Sequence, residues 1–426
     1  MALVRSEDQA KLAGSLADQL AQLRQRIARL EQRTKLSSSS PTRKQPPQRL
    51  RLEEYLGGQE VQTPYGSHFE TEKLYPRHRR HGSMDLSDLE ELPPDLLGPI
   101  SAGEIAPAPP TRWAFLDTET TGLAGGTGTY AFLIGVGRIT PEGFRVRQFF
   151  MRDYSEEASL LHAVAEHLNE FDVLITYNGK IYDLPLLETR YRMARRQPPF
   201  HRLAHLDLLF GARRLWRFRY ESCRLVELEQ QVLGVEREGD LPSELIPYVY
   251  FEYLRRREAL QLVPVFHHNA MDILSLACLA AIVPQAFRDP TSVVLRHGTE
   301  LLGLARWLLR QNQPAQAVEL FRRAIHAGLP DELLFPALWN LAMLQKRLYG
   351  CEAALAVLEE LASGPNPYRV PALEELAKYY EHRLADYERA LQLTLQALEL
   401  EPTESLRKRR QRLERRLAKH CSGRLL

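Results

Sequence analysis

The chain has 426 residues, 44% of them hydrophobic, with 56 lysines and arginines against 54 aspartates and glutamates. That length predicts two or more domains, and the composition is that of an ordinary globular protein. A net charge of +2 excludes a global basic field, so any nucleic-acid contact has to come from local patches. No apolar run approaching about 18 residues is evident, which predicts no membrane span. Met1 to Ala10 carries charges and no signal-type apolar stretch, so secretion is not expected. Cys223, Cys278, Cys351 and Cys421 form no Cys-x-x-Cys pair. This argues against structural zinc and a disulfide framework, and a reducing cytoplasm is expected.

Residues 1–36 read as an amphipathic or coiled-coil helix. Leu16, Leu20, Leu23, Ile27 and Leu30 follow 4-3-4-3 spacing, which suits either docking on the same chain or a homodimer through residues 12–30. Residues 37–110 read as a linker and a small N-terminal segment. Ser37 to Pro47 is flexible in composition, Leu50 to Leu56 is helix-like, and Glu60 to Leu74 alternates enough for one or two strands. The basic stretch Tyr75 to Gly82 is expected to be a solvated loop or a contact to a nucleic-acid backbone. Pro107 to Pro110 is a stiff extended linker.

Residues 111–288 alternate strand and helix. Strands are predicted at 113–117, 130–138, 144–151, 172–177 and 204–208, and helices at 156–170, 183–195, 222–233 and 267–285. This pattern predicts an α/β domain: a mixed five-stranded sheet flanked by helices. Residues 295–402 carry a helical repeat. Ala305, Ala342 and Ala377 occupy one equivalent place, Ala317, Ala354 and Ala390 the next, and Ala324 and Ala397 a third. Small residues at that spacing predict paired helices of the tetratricopeptide type, an all-α solenoid. Residues 403–426 form a basic C-terminal helix and tail, expected to cap the solenoid or to bind nucleic acid.

The chemistry-bearing residues sit mainly at strand ends. Asp117 and Glu119 follow the apolar run Trp113 to Leu116 and leave a strand on the same face. Unpaired buried carboxylates are costly, and two converging oxygen ligands suit a hard divalent ion such as Mg²⁺ or Mn²⁺. Asn178 and Asp183 follow a second apolar strand. His268 and Asp272 share one helical face.

Asp-x-Glu after a strand, Asn-x4-Asp after a strand, and His-x3-Asp opening a helix together resemble the DEDD superfamily of 3′–5′ exonucleases, which have a ribonuclease H-like fold. Within it the chain is similar to the bacterial YprB-like ribonuclease H-like proteins with a tetratricopeptide tail. The stretches carrying that match are Gly125 to Tyr130, Cys223-Arg224-Leu225 with Leu228-Glu229 and Leu233-Gly234, and His268 to Leu276. The resemblance implies a metal-dependent 3′–5′ exonuclease. Two divalent cations, Mg²⁺ or Mn²⁺, would be held by Asp117, Glu119, Asp183 and Asp272, with Asp117 bridging. His268 would serve as general base. In the family the third motif has a His five residues before its Asp or a Tyr four before; here His267 and His268 fill both offsets, and the His-Asn-x-x-Asp spacing favours His268. Thr118, Gly126, Thr127, Gly128, Asn178 and Lys180, with Tyr182, are the expected substrate contacts. The glycine-rich loop is not a Walker loop, since no Gly-Lys-Ser/Thr follows. Asp207 is expected to cap a helix or hold a backbone amide rather than join the site. The expected partners are nucleic acid, through single-stranded ends, and a protein bound by the repeats. A scaffold that binds nucleic acid without cutting it, and a ribonuclease H-type endonuclease, are the alternative functions. No short signature separates DNA from RNA.

Overall fold

A computed structural model describes residues 52–122, 127–237 and 239–422, with side chains to 418. The helix expected over 1–36, the linker that follows it, the dimer contact over 12–30, and Gly126 lie outside the described residues. The chain divides into two units. The first takes the described chain up to Asp95, Glu104–Leu208 and Arg224–Ala281; the second takes Leu96–Gly103, Leu209–Cys223 and the chain from Ile282.

The first unit is built on a seven-stranded sheet of order β1-β2-β7-β6-β5-β8-β9. The strands are β1 (Gln59–Thr63), β2 (Gly66–Pro76), β5 (Trp113–Thr120), β6 (Ala131–Thr140), β7 (Gly143–Phe150), β8 (Val173–Thr176) and β9 (Ala204–Asp207). Two short strands, β3 (Arg80–His81) and β4 (Met84–Asp85), pair separately. Trp113 to Leu116 and all of β8 are buried, as a strand covered on both faces must be when its apolar run is unbroken. β5 pairs antiparallel with β6 and parallel with β8, so the Asp117–Glu119 end lies in the interior of the sheet, away from its edges.

All five predicted strands are present, but the sheet has seven. The alternating segment at 60–74 forms the hairpin β1–β2, and β2 pairs antiparallel with β7 from Phe69↔Phe150 to Pro76↔Gly143. The added strands cover an edge that β7 would otherwise leave unpaired. Phe69 and Tyr75 of β2 are fully buried, which binds this segment to the domain core. The basic loop after it is partly used up inside the protein: His81 is buried, and its Nε2 lies 2.7 Å from Ser275 Oγ.

Helices of this unit are α1 (Glu157–Leu168), α2 (Asp183–Met193), α4 (Ile246–Arg256) and α5 (Val263–Arg288); the preceding α3 (Leu208–Trp216) belongs mainly to the second unit. α3 and α4 were not among the predicted helices. α4 reads Ile-Pro-Tyr-Val-Tyr-Phe, rich in residues that favour strands. Its buried set, Ile246, Val249, Tyr250 and Tyr253, has the helical spacing that packing rewards. The helix predicted at 222–233 is a short turn, Leu225–Leu228, followed by a π turn, Glu229–Leu233, which ends at Gly234 with φ +69°.

The expectation that no segment would be apolar enough to span a membrane needs correction. The helix over Ala259–Arg288 is long and apolar enough, by length and composition. Its most apolar stretch is largely buried within the protein, the pattern of a core helix apolar on all sides.

In the second unit, α6 (Gly298–Arg310) pairs with α7 (Pro314–His326), α8 (Asp331–Tyr349) with α9 (Cys351–Ser363), and α10 (Arg369–His382) with α11 (Tyr387–Leu400). Every alanine of the predicted repeat is fully buried. The basic helix α12 (Glu404–Ser422) packs on α11. It buries Leu406 and Leu413, and Arg409 and Arg412 reach the buried Glu381 of α10 at 2.7 Å. Part of its charge is therefore spent within the solenoid.

Candidate active site

Asp117, Glu119, Asp183, His268 and Asp272, drawn from β5, α2 and α5, line one cavity of about 520 Å³. Two glycines bring α5 there. Gly135 of β6 stands opposite Asp117 and Gly137 opposite Phe115. A Cβ at Gly135 would overlap Asn269 Oδ1 and Ile273 Cδ1, and one at Gly137 would overlap Ile273 and Phe144. Without side chains at these positions, the helix lies directly on the strand.

Asn269, fully buried, is the pin. Its Nδ2 donates to Asp117 Oδ2 at 2.8 Å, and its Oδ1 accepts from Gln148 Nε2 at 2.9 Å. Gln148 also donates to the Phe266 carbonyl and accepts from Thr71. A polar chain thus runs from β2 through β7 and α5 to the first carboxylate.

On the second strand end, Asn178 takes φ +66°, a left-handed conformation that asparagine tolerates. Asp207 accepts from the backbone N–H of Asn178 at 2.8 Å and of Lys180 at 3.0 Å. It shapes the loop that leads into Asp183. Asp183 Oδ1 accepts from Thr118 Oγ1 at 2.5 Å.

The carboxylates repel one another. Burial, then the charges of Asp272 and Asp183, raises Asp117 well above the usual carboxylate range, against the pull of the Asn269 hydrogen bond. Burial, then Asp117, Asp272 and Asp183, does the same to Glu119. Burial pushes Asp183 up to about 6, although the Thr118 hydrogen bond lowers it. Glu119 is buried and has no hydrogen-bond or ion-pair partner among the described residues. Such a group calls for a cation or a proton.

His268 is held at both ring nitrogens. Nδ1 lies 2.9 Å from Asp240 Oδ2, and Nε2 lies 3.5 Å from Ser243 Oγ and 3.6 Å from Asp272 Oδ2. Burial opposes its protonation, but the Asp240 hydrogen bond and the charges of Asp272 and Asp240 outweigh burial and raise its pKa. His267 is exposed and is not on the cavity wall.

Three residues of this cluster were not foreseen. Asp240 orients His268. Arg237 pairs with Asp272 at 2.5 Å, with Glu229 at 2.5 Å and with Asp240 at 3.1 Å. Both come from the loop after the π turn, whose sequence has no periodicity to betray it. Asn269 lies inside the His268–Asp272 motif, and only the pairing of α5 with β6 reveals its bond.

Of the expected substrate contacts, Thr118 and Asn178 line the cavity, as do Thr129 and the exposed Tyr182. Thr118 gives its hydroxyl to Asp183. Thr127, Gly128 and Lys180 are exposed and off the cavity wall. The Thr127 carbonyl accepts from Arg190 at 2.7 Å, and the Lys180 backbone N–H donates to Asp207. Among the described residues, no group of three His, Cys, Asp or Glu side chains stands ready to hold a metal ion. Asp183 is turned to Thr118, Asp117 to Asn269 and Asp272 to Arg237. The donor chemistry nevertheless fits a hard cation: oxygen ligands, mutual repulsion, and a partnerless buried Glu119.

Comparison with known proteins agrees with this architecture. Residues 114–283 match the RNase_H superfamily model, a range that spans all the cavity carboxylates. The uncharacterized protein YprB of Bacillus subtilis (strain 168) is 34% identical over 333 residues, 76% of this chain and 78% of the relative. With the sheet, the central carboxylates and this extended identity together, the chain belongs to the YprB family of ribonuclease H-like proteins.

Proposed function

We propose that the protein is a metal-dependent nuclease that removes nucleotides from 3′ ends of nucleic acid, with two divalent cations, Mg²⁺ or Mn²⁺. The observation that carries this reading is the meeting of Asp117, Glu119, Asp183 and Asp272 with His268 around one cavity. Asp117, Glu119 and Asp272 would hold the ions, with Asp183 joining directly or through water. When bound, such ions activate water and stabilise the leaving oxygen. His268 accepts the proton of the attacking water at Nε2, the nitrogen that faces Asp272, while Asp240 fixes the ring through Nδ1. Asn269 holds Asp117 in place. Tyr182, exposed beside the cavity, offers a face for a terminal base. In this reading the helical repeat recruits a protein partner, residues 12–30 serve self-association, and the protein works in the cytoplasm.

A second reading, a nucleic-acid-binding scaffold that does not cut, draws on Arg237. Its guanidinium already neutralises Asp272. Incubation with 3′- and 5′-labelled single-stranded DNA and RNA, with Mg²⁺, Mn²⁺ or EDTA, separates the readings. Ion-dependent mononucleotide release from the 3′ end supports the exonuclease. Internal cleavage indicates an endonuclease. Binding with no cleavage in either metal leaves the scaffold.

A further inference from the structure

A second concentration of charge lies entirely within the helical unit. α3 and the residues after it read Arg213-Arg214-Leu215-Trp216-Arg217-Phe218-Arg219-Tyr220, arginine interleaved with aromatics. They sit against α6, where Gly303 has no side chain and the backbone carbonyl of Arg214 occupies the space a Cβ would need. This close approach forms a groove of about 230 Å³ whose wall includes Arg213, Arg214, Arg217, Arg306 and Arg310.

None of these five arginines makes an ion pair among the described residues, and Glu300, buried on the same helix as Arg306 and Arg310, is taken by Trp216 Nε1 at 3.1 Å and by Arg219. Arg214 and Arg306 are half-buried. Burial, then the charge of Arg310, lowers the pKa of Arg214; burial, then Arg217 and Arg310, lowers that of Arg306. Folding has therefore gathered like charges at the expense of their hydration, on a chain whose net charge is only +2. Cations held this way are stabilised by an anion that enters the groove.

Aromatic rings favour one kind of anion. Arg217 lies 4.3 Å and Arg306 4.9 Å from the Phe218 ring centre, and Phe210 on the same wall is 38% exposed. Guanidinium forks suit phosphate oxygens, and bases stack on arginine and phenylalanine faces. An acidic peptide would use the charges and leave the rings without a planar partner. We propose that this groove binds the phosphate backbone of single-stranded nucleic acid, a holding site separate from the carboxylate cavity. It shares with the proposed function only that the ligand is nucleic acid, and it requires no cleavage.

The test is fluorescence anisotropy of the full chain with a labelled single-stranded 20-mer, DNA and RNA, in EDTA. Arg213→Gln, Arg217→Gln and Arg310→Gln, all at exposed positions, are combined, with each single variant and a thermal melt alongside. Affinity is expected to fall about tenfold or more, and the slope of log K against log salt to shrink by about 2, near 0.7 for each phosphate that is no longer neutralised. Unchanged affinity and salt slope in folded variants would overturn the proposal, as would absence of binding by wild type. Displacement of the 20-mer by poly-glutamate as effective as by unlabelled 20-mer at matched charge would mark an acidic-protein surface and overturn it too. Because EDTA prevents ion-dependent turnover, each result stands apart from whether the carboxylate cavity cleaves.

Discussion

Asp117 and His268 carry the sharpest expectations. Asp117→Asn removes a charge that burial and two neighbouring aspartates disfavour, while its amide oxygen can still accept from Asn269. Turnover should drop to background in Mg²⁺ or Mn²⁺. In metal-free buffer the variant should melt at or above the wild-type temperature near pH 7. The sign follows from linkage: a carboxyl raised in the folded state costs stability above its unfolded pKa, and the cost fades as pH falls toward 4. The stabilisation by Asn should therefore vanish in acid, as melts across pH will show. Wild-type turnover by this variant would refute the assigned site. His268→Ala should lower the rate by about 10²–10⁴, the usual share of a general base, and His267→Ala, on the exposed side of the helix, should have little effect. Single-turnover rates decide between them; a larger loss at His267 reverses the assignment. Asp240→Asn should shift the pH–rate profile toward lower pH, since it removes a charge that raises His268.

Packing of α5 on β6 depends on Gly135 and Gly137. Gly135→Ala forces a methyl group onto Asn269 and Ile273, both buried side chains held by neighbours. Overpacking of this kind costs about 1–3 kcal/mol, and it pushes Asn269 off Asp117. Denaturant melts should show that loss, and turnover should fall beyond what the unfolded fraction explains. An Ala variant of wild-type stability and activity would mean that the helix position is not what aligns the site. The π turn Glu229–Leu233 has a comparable role upstream. It presents Glu229, buried and paired with Arg237, and so fixes the loop that carries Asp240.

Across the molecule, buried histidines set an acid response. Burial lowers His81 and His167 to about 4. As pH falls below about 6.5, the unfolded chain binds protons that these folded sites refuse, so their contribution to stability is lost between about 6.5 and 4. His81→Gln retains a group that can bond Ser275 without titrating. Its stability relative to wild type should rise by up to about 3 kcal/mol from pH 7 to pH 4, at 1.36 kcal/mol per pKa unit. A difference that stays flat with pH would show that His81 titrates normally. The two-unit division also bears on truncation. Leu209–Cys223 groups with the helical unit, and β2 completes the sheet from before residue 111, so a fragment of 111–290 would cut through both units. Such a fragment should be less soluble than the full chain, by sedimentation of the expressed protein.

The central strands, α1, α2, the core of α5 and the four carboxylates were legible in the sequence because each rests on local order. An apolar run makes a buried strand wherever it is placed, and Asp-x-Glu shares a face by strand geometry alone. The alanine repeat was legible for the same reason, since small residues recur where helices touch. What tertiary structure decided depends on partners distant in sequence. β2 joins the sheet through β7, Asn269 finds Asp117 because two glycines let a helix touch a strand, and Asp240 and Arg237 reach His268 and Asp272 from an irregular loop. Likewise, among the described residues the groove arginines make no ion pair, while Glu300 is held by Trp216 and Arg219. Hydrogen bonds and ion pairs act over a few ångströms in space, and no local pattern records which distant residues folding will bring within that range.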